Sequence, residues 1–165
     1  MNDSNSVTQN DTSLQPFDAL GQFLEADGWY PQRIGDKNVY RVGFAGQNGQ
    51  MTCFATIFEE YEQFLFYAIA PLKVPGAARL AAAEFITRAN YGLRIGNFEM
   101  DFSDGEVRYK TSLDFEGETL TAGLIKNAIY PAVQTMDRYL PGLMGVIYGD
   151  KAPVEAIADV EGGSA

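Results

Sequence analysis

The stretch GNFEMDFSDGEVRYKTSLDF, residues 96–115, decides the fold. Phe98, Met100 and Phe102 alternate with Asn97, Glu99 and Asp101. Asp104-Gly105 then supplies a reversal, and Val107, Tyr109, Thr111 and Leu113 resume the period of two. Alternation on both sides of an Asp-Gly pair predicts an antiparallel hairpin with one apolar and one wet face. The wet set, Glu99, Asp101, Glu106, Arg108 and Lys110, mixes signs as cross-strand charge pairs do. Upstream the same period recurs. Tyr40, Val42 and Phe44 alternate from Val39, the GQNG tetrad at 46–49 suits a turn, and Met51 to Phe58 reads as the return strand. Residues Phe64 to Ala70 are continuously apolar and end at Pro71, a strand that asks for cover on both faces.

Helical spacing frames these strands. Phe17, Leu20, Phe23 and Leu24 follow Pro16, and Gly28 offers a left-handed stop. An Ala-rich helix over about 77–91 places Ala78, Ala82, Phe85, Ile86 and Ala89 on one stripe. Its other side carries Leu80, Thr87 and Tyr91, a thinner strip that reads either as scattered surface apolar residues or as a subunit contact. Residues 120–148 are helical again, with Leu124, Ala128, Ala132, Met136, Tyr139 and Leu143 in line. Pro131 and Pro141-Gly142 should divide that stretch into pieces. Three segments follow: a disordered N-terminal tail at 1–15, one domain at 16–150, and a C-terminal extension at 151–165 with a short helical turn and a flexible end.

Composition narrows the chemistry. The chain has 165 residues, no histidine and one cysteine, Cys53. Imidazole catalysis, histidine metal sites and an intrachain disulfide are therefore excluded. The net charge of −10 is concentrated at the ends: residues 1–30 hold five acids and no base, and residues 152–165 hold three acids and no base. That balance disfavours nucleic-acid and anionic membrane surfaces as partners. The first fifteen residues lack the basic and apolar regions of a signal peptide, and the longest apolar run is too short to cross a bilayer, so a cytoplasmic location is expected. The glycines at 43–49 are followed by no Lys-Ser or Lys-Thr, which argues against a phosphate loop. Neither Glu59, Glu60 and Glu62 nor Glu99, Asp101 and Asp104 show a metal-ligand spacing. Cys53 reads as strand packing. No catalytic residue, cofactor or metal site is expected, and apolar surface and sheet edges remain as tools of recognition.

The segment ITRANYGLRIGNFEMDFSDGEVRYKTSLDFEG, with Asn90, Gly96 to Met100, Asp104-Gly105 and Arg108-Tyr109, resembles the YbjN family. So does MDRYLPGLMGVIYG with Asp137, Leu140, Pro141 and Gly149. The resemblance covers about Phe17 to Asp150 and implies a fold like that of the type III secretion chaperones. That fold is α+β, in the order α-β-β-β-α-β-β-α around an antiparallel sheet of about five strands. It also implies a nonenzymatic regulator or chaperone-like adaptor, without catalytic residues to carry over. The leading expectation is a homodimeric protein-interaction module that holds a partner polypeptide. Leu80, Thr87 and Tyr91 are the expected subunit contact, and Phe23, Phe54 and Phe58 the expected partner contact. Two alternatives stand beside it: a small-molecule or lipid binder with a pocket between the C-terminal helices and the sheet, and a carboxylate enzyme using Glu99 or Asp101.

Overall fold

The computed structural model describes residues 14–162, so the expected disorder of the N-terminal tail and the GGSA end fall largely outside the described residues. Helix α1 (Pro16–Ala26) starts on its proline and buries Phe17, Leu20 and Leu24. It stops at Gly28, which adopts φ +80° and lets the Trp29 amide return to the Leu24 carbonyl at 2.8 Å. The strands are β1 (Gln32–Arg33), β2 (Val39–Ala45), β3 (Gln50–Phe58) and β4 (Gln63–Lys73), then β5 (Asn97–Met100) and β6 (Glu106–Asp114) after helix α2 (Arg79–Asn90). Helices α3 (Ala122–Tyr148) and α4 (Pro153–Gly162) close the chain. The sheet is antiparallel in the order β1-β2-β3-β4-β6-β5.

The α+β class and the order of the main elements are as expected, with six strands in place of about five. The added strand β1 has two residues, too short for an alternation to register. The second hairpin also differs in detail. Strand β5 ends at Met100, and residues 101–105 form a compact turn in which the Asp101 carboxylate accepts from the Ser103 amide at 2.8 Å and from its hydroxyl at 2.6 Å. Phe102 therefore sits exposed in a loop and not on the strand.

The long C-terminal helix corrects another expectation. It runs unbroken for 27 residues through both prolines. Ile125 and Ile129 before Pro131, and Val133, Met136, Leu140 and Leu143 beyond it, are all buried. Each large apolar side chain contributes about 1.5–3 kcal/mol on burial, against about 3 kcal/mol for an internal proline. Side chains from the sheet side also reach carbonyls of this helix. Thr111, a buried polar residue on β6, donates its hydroxyl to the Ala128 carbonyl at 2.9 Å. Pro141 has no amide to offer the carbonyl of Asp137, four residues earlier, and Asn48 Nδ2 donates to that carbonyl at 2.9 Å.

Asn48 belongs to the turn between β2 and β3, and the same turn donates the Gln47 and Asn48 amides to the Asp137 carboxylate at 3.0 and 2.9 Å. Gly46 permits the approach, because a Cβ there would collide with the Asp137 carboxylate. The GQNG tetrad is thus both a hairpin turn and a clip on α3. The extension also folds further than one turn: α4 spans ten residues and buries Ala156.

Replacing Asp137 by alanine strips two turn amides of their acceptor. Urea unfolding of Asp137→Ala should show a loss of about 1–3 kcal/mol, with Asn48→Ala costing less. An unchanged midpoint for both would mean that the clip contributes nothing.

Candidate interaction surface

The outer face of the sheet follows from strand parity. On β3, Cys53, Ala55 and Ile57 are buried under the helices, while Thr52, Phe54 and Thr56 are half-buried and Phe58 is 42% exposed. On β4, Phe64, Phe66, Ala68 and Ala70 point inward, and Leu65, Tyr67 and Ile69 occupy the half-buried alternate positions. The register places Phe54 opposite Tyr67, Thr56 opposite Leu65, and Thr52 opposite Ile69. These side chains make a continuous apolar centre on the face turned away from the core. No described helix lies over it, so the continuously apolar strand is covered on one side and not on both.

Charge rings this centre. The Arg108 guanidinium stacks 4.0 Å from the centroid of the Tyr67 ring and donates to Glu99 Oε2 at 2.9 Å. Lys110 pairs with the other oxygen of Glu99. Burial opposes ionisation of Glu99, but the hydrogen bonds from Lys110 and Arg108 outweigh it and hold its carboxyl below the usual range. On the opposite flank Arg41 is exposed and stands across from Phe54.

The expected partner residues therefore separate. Phe54 and Phe58 share the outer face, whereas Phe23 is half-buried on α1 and packs against the core. Leu65, Tyr67 and Ile69 were missed, although a fully apolar run inside an antiparallel hairpin was their signal. Leu80 and Tyr91 are 79% and 96% exposed, and Thr87 is exposed between them. Thr87 also borders an open cleft of about 670 Å³ beside Asn90, Glu99, Asp101 and Phe102.

The carboxylates of the enzyme alternative are engaged locally: Glu99 with its two cations, and Asp101 with Ser103, whose hydrogen bonds hold the Asp101 carboxyl below its ordinary range. At the interface of α3 with the sheet, where a ligand pocket was an alternative, Phe66, Ile129, Val133 and Met136 are wholly buried. That packing counts against a cavity there. Among the described residues no helix is long and apolar enough to cross a membrane.

Burial pushes the Cys53 thiol up to about 12, and only the thiolate is reactive. Thiol labelling of the native protein at pH 8 should therefore run about a thousandfold slower than for a free cysteine, and normally in urea. Fast native labelling would show that β3 opens readily.

The sequence profile of the YbjN family, described as "Putative bacterial sensory transduction regulator", matches residues 16–144. Among solved structures, YbjN from E. coli aligns with a TM-score of 0.55 at 14% identity, covering 88% of this chain and 92% of its own. The ExsC-ExsE complex aligns with a TM-score of 0.55 at 15% identity, covering 78% of this chain and 95% of the matched chain. At these identities the likeness concerns the fold. No curated protein matches the sequence.

Proposed function

This chain belongs to the YbjN family, and from that premise we propose that it is a nonenzymatic interaction module, a chaperone-like adaptor or regulator, that holds an extended segment of a partner polypeptide against the outer face of its sheet. The observation that carries this reading is the helix-free face itself, with Phe54, Leu65, Tyr67 and Ile69 at its centre. Apolar surface of this continuity on a soluble domain marks a contact site. Arg41, exposed on one flank, favours a carboxylate at that end of the bound segment. A solved neighbour of the same fold is a complex of two proteins, ExsC with ExsE.

In this reading the protein works in the cytoplasm, without metal or cofactor, and its partners do not include nucleic acid or membrane. It acts as a homodimer through the outward strip of α2. Leu80 and Thr87 of α2, and Tyr91 just past its end, lie at positions i, i+7 and i+11, on the side opposite Ala82, Phe85 and Ala89. Exposed apolar residues at such spacing suit an isologous contact, where the same strip meets itself.

Two measurements test the reading. Affinity capture from native extract should retain a polypeptide on the wild-type protein and lose it on Phe54→Asp, with binding weakened about tenfold or more, equivalent to about 1.4 kcal/mol. Capture undiminished on Phe54→Asp would remove the sheet face from consideration, and a co-purified metabolite alone would favour a pocket protein. Sedimentation should separately show a dimer that Tyr91→Asp converts to monomer with an unchanged circular dichroism spectrum. A wild-type monomer at micromolar concentration would end the α2 interface.

A further inference from the structure

Helix α4 lies beyond residues 16–144, the span of the family profile, yet it is docked. It occupies a groove between α2 and α3. The floor is Gly142 of α3: a Cβ there would stand 2.7 Å from Val160 Cγ2 and 2.8 Å from Phe85 Cζ. The missing side chain is thus the socket that Val160 enters. One turn earlier Ala156 is buried, and Ile157 is half-buried beside it. At the end of the groove Tyr139 donates its hydroxyl to Glu161 Oε1 at 2.9 Å, and Arg138 donates to the Val160 carbonyl at 3.4 Å.

Three features distinguish α4 from the elements of the core. It buries one residue, Ala156, along ten, where α2 buries four along twelve. Its seam with α3 is incompletely filled, leaving a space of about 340 Å³ beside Pro141, Gly145 and Asp159. Its charge is of one sign. Glu155, Asp159 and Glu161 are its only charged residues: Lys151 pairs with Asp159 and also feels Glu155, and Glu161 takes the Tyr139 hydroxyl. A short link, residues 149–152, joins it to α3, and Asp150 in that link holds φ +49°. That is a left-handed turn, which aspartate adopts more readily than most residues.

We propose that the groove between α2 and α3 is a docking site for an acidic amphipathic helix of a partner protein, and that α4 occupies it in cis until displaced. The resident helix shows the chemistry the site accepts. A small side chain at one position meets the wall, a β-branched side chain four residues on fills the Gly142 socket, and a carboxylate one residue further takes the Tyr139 hydroxyl. The groove is separate from the outer sheet face and does not depend on it.

The probe is a fluorescein-labelled peptide of residues 152–162, titrated into the full-length protein. Ala156→Asp puts a charge at a buried site on α4 and should release it. The variant should then bind the peptide about tenfold more tightly than wild type does, since the wild-type groove is already filled. Adding Tyr139→Phe should weaken that binding severalfold. Should Ala156→Asp disturb the fold, Val160→Asp, at a half-buried position, serves the same purpose. In wild type, amide exchange over 153–162 should be about a hundredfold faster than over 125–143. Equal peptide affinity for wild type and the released variants, or equal protection of α4 and α3, would overturn the proposal. So would a wild-type dimer that Val160→Asp abolishes, because the occupant would then be the α4 of a second copy.

Discussion

The contact between the β2–β3 turn and the middle of α3 is the constraint from which the rest follows. Pro141 leaves the carbonyl of Asp137 without a helical amide, and the turn supplies Asn48 Nδ2 in its place while the Asp137 carboxylate takes two turn amides in return. A hairpin and a helix some ninety residues apart are joined by three hydrogen bonds, one of them to a carbonyl that Pro141 deprives of its helical amide. Seating the turn on the helix also fixes which side of β3 faces inward. A slip of one residue would carry Phe54 inside and Cys53 out, and the clip would no longer reach.

With α3 placed in this way, all four helices pack on one face. The inner layer closes around Phe64, Phe66, Tyr109, Ile129 and Met136, which have no exposed surface. The opposite layer must manage with what neighbouring strands provide. Its side chains shelter one another laterally, and Arg108 lies flat on Tyr67 while its charge is spent on Glu99. This arrangement keeps an apolar centre in contact with water without leaving it wholly bare.

The sequence made the two hairpins legible because Phe98 with Tyr109, and Tyr40 with Ala55, repeat every second residue on strands long enough to show a period. The buried stripe of α2 was equally plain in Ala82, Phe85, Ile86 and Ala89. What escaped depended on distant partners. Pro131 and Pro141 carry a local instruction to break the helix, which apolar contacts on both sides override, helped at Pro141 by the donor from Asn48. Gln32 and Arg33 pair with Arg41 and Tyr40 over a span too brief to leave a pattern. The surface was half visible: Phe54 and Phe58 could be chosen by parity from β3, but Phe23 could be excluded only once α1 was seen to lie on the other side of the sheet. Leu65, Tyr67 and Ile69 were hidden by the assumption that an all-apolar strand has two covered faces.

The C-terminal acids show how charge read from sequence changes meaning when placed. Along the chain, Glu155, Asp159 and Glu161 look like a solvated end. In the fold, Glu161 meets the hydroxyl of Tyr139, whose ionisation burial and that carboxylate together push up to about 12. The neutral phenol therefore persists across the physiological range as a donor fixed at one end of the groove, with Gly142 as a steric socket beside it. Neither feature is needed to hold the sheet to α3, since the residues that do so lie on the inward stripe from Ile125 to Leu143. A groove with a steric key and a polar key, filled by a helix that buries a single alanine, has the form of a recognition site and not of a core contact.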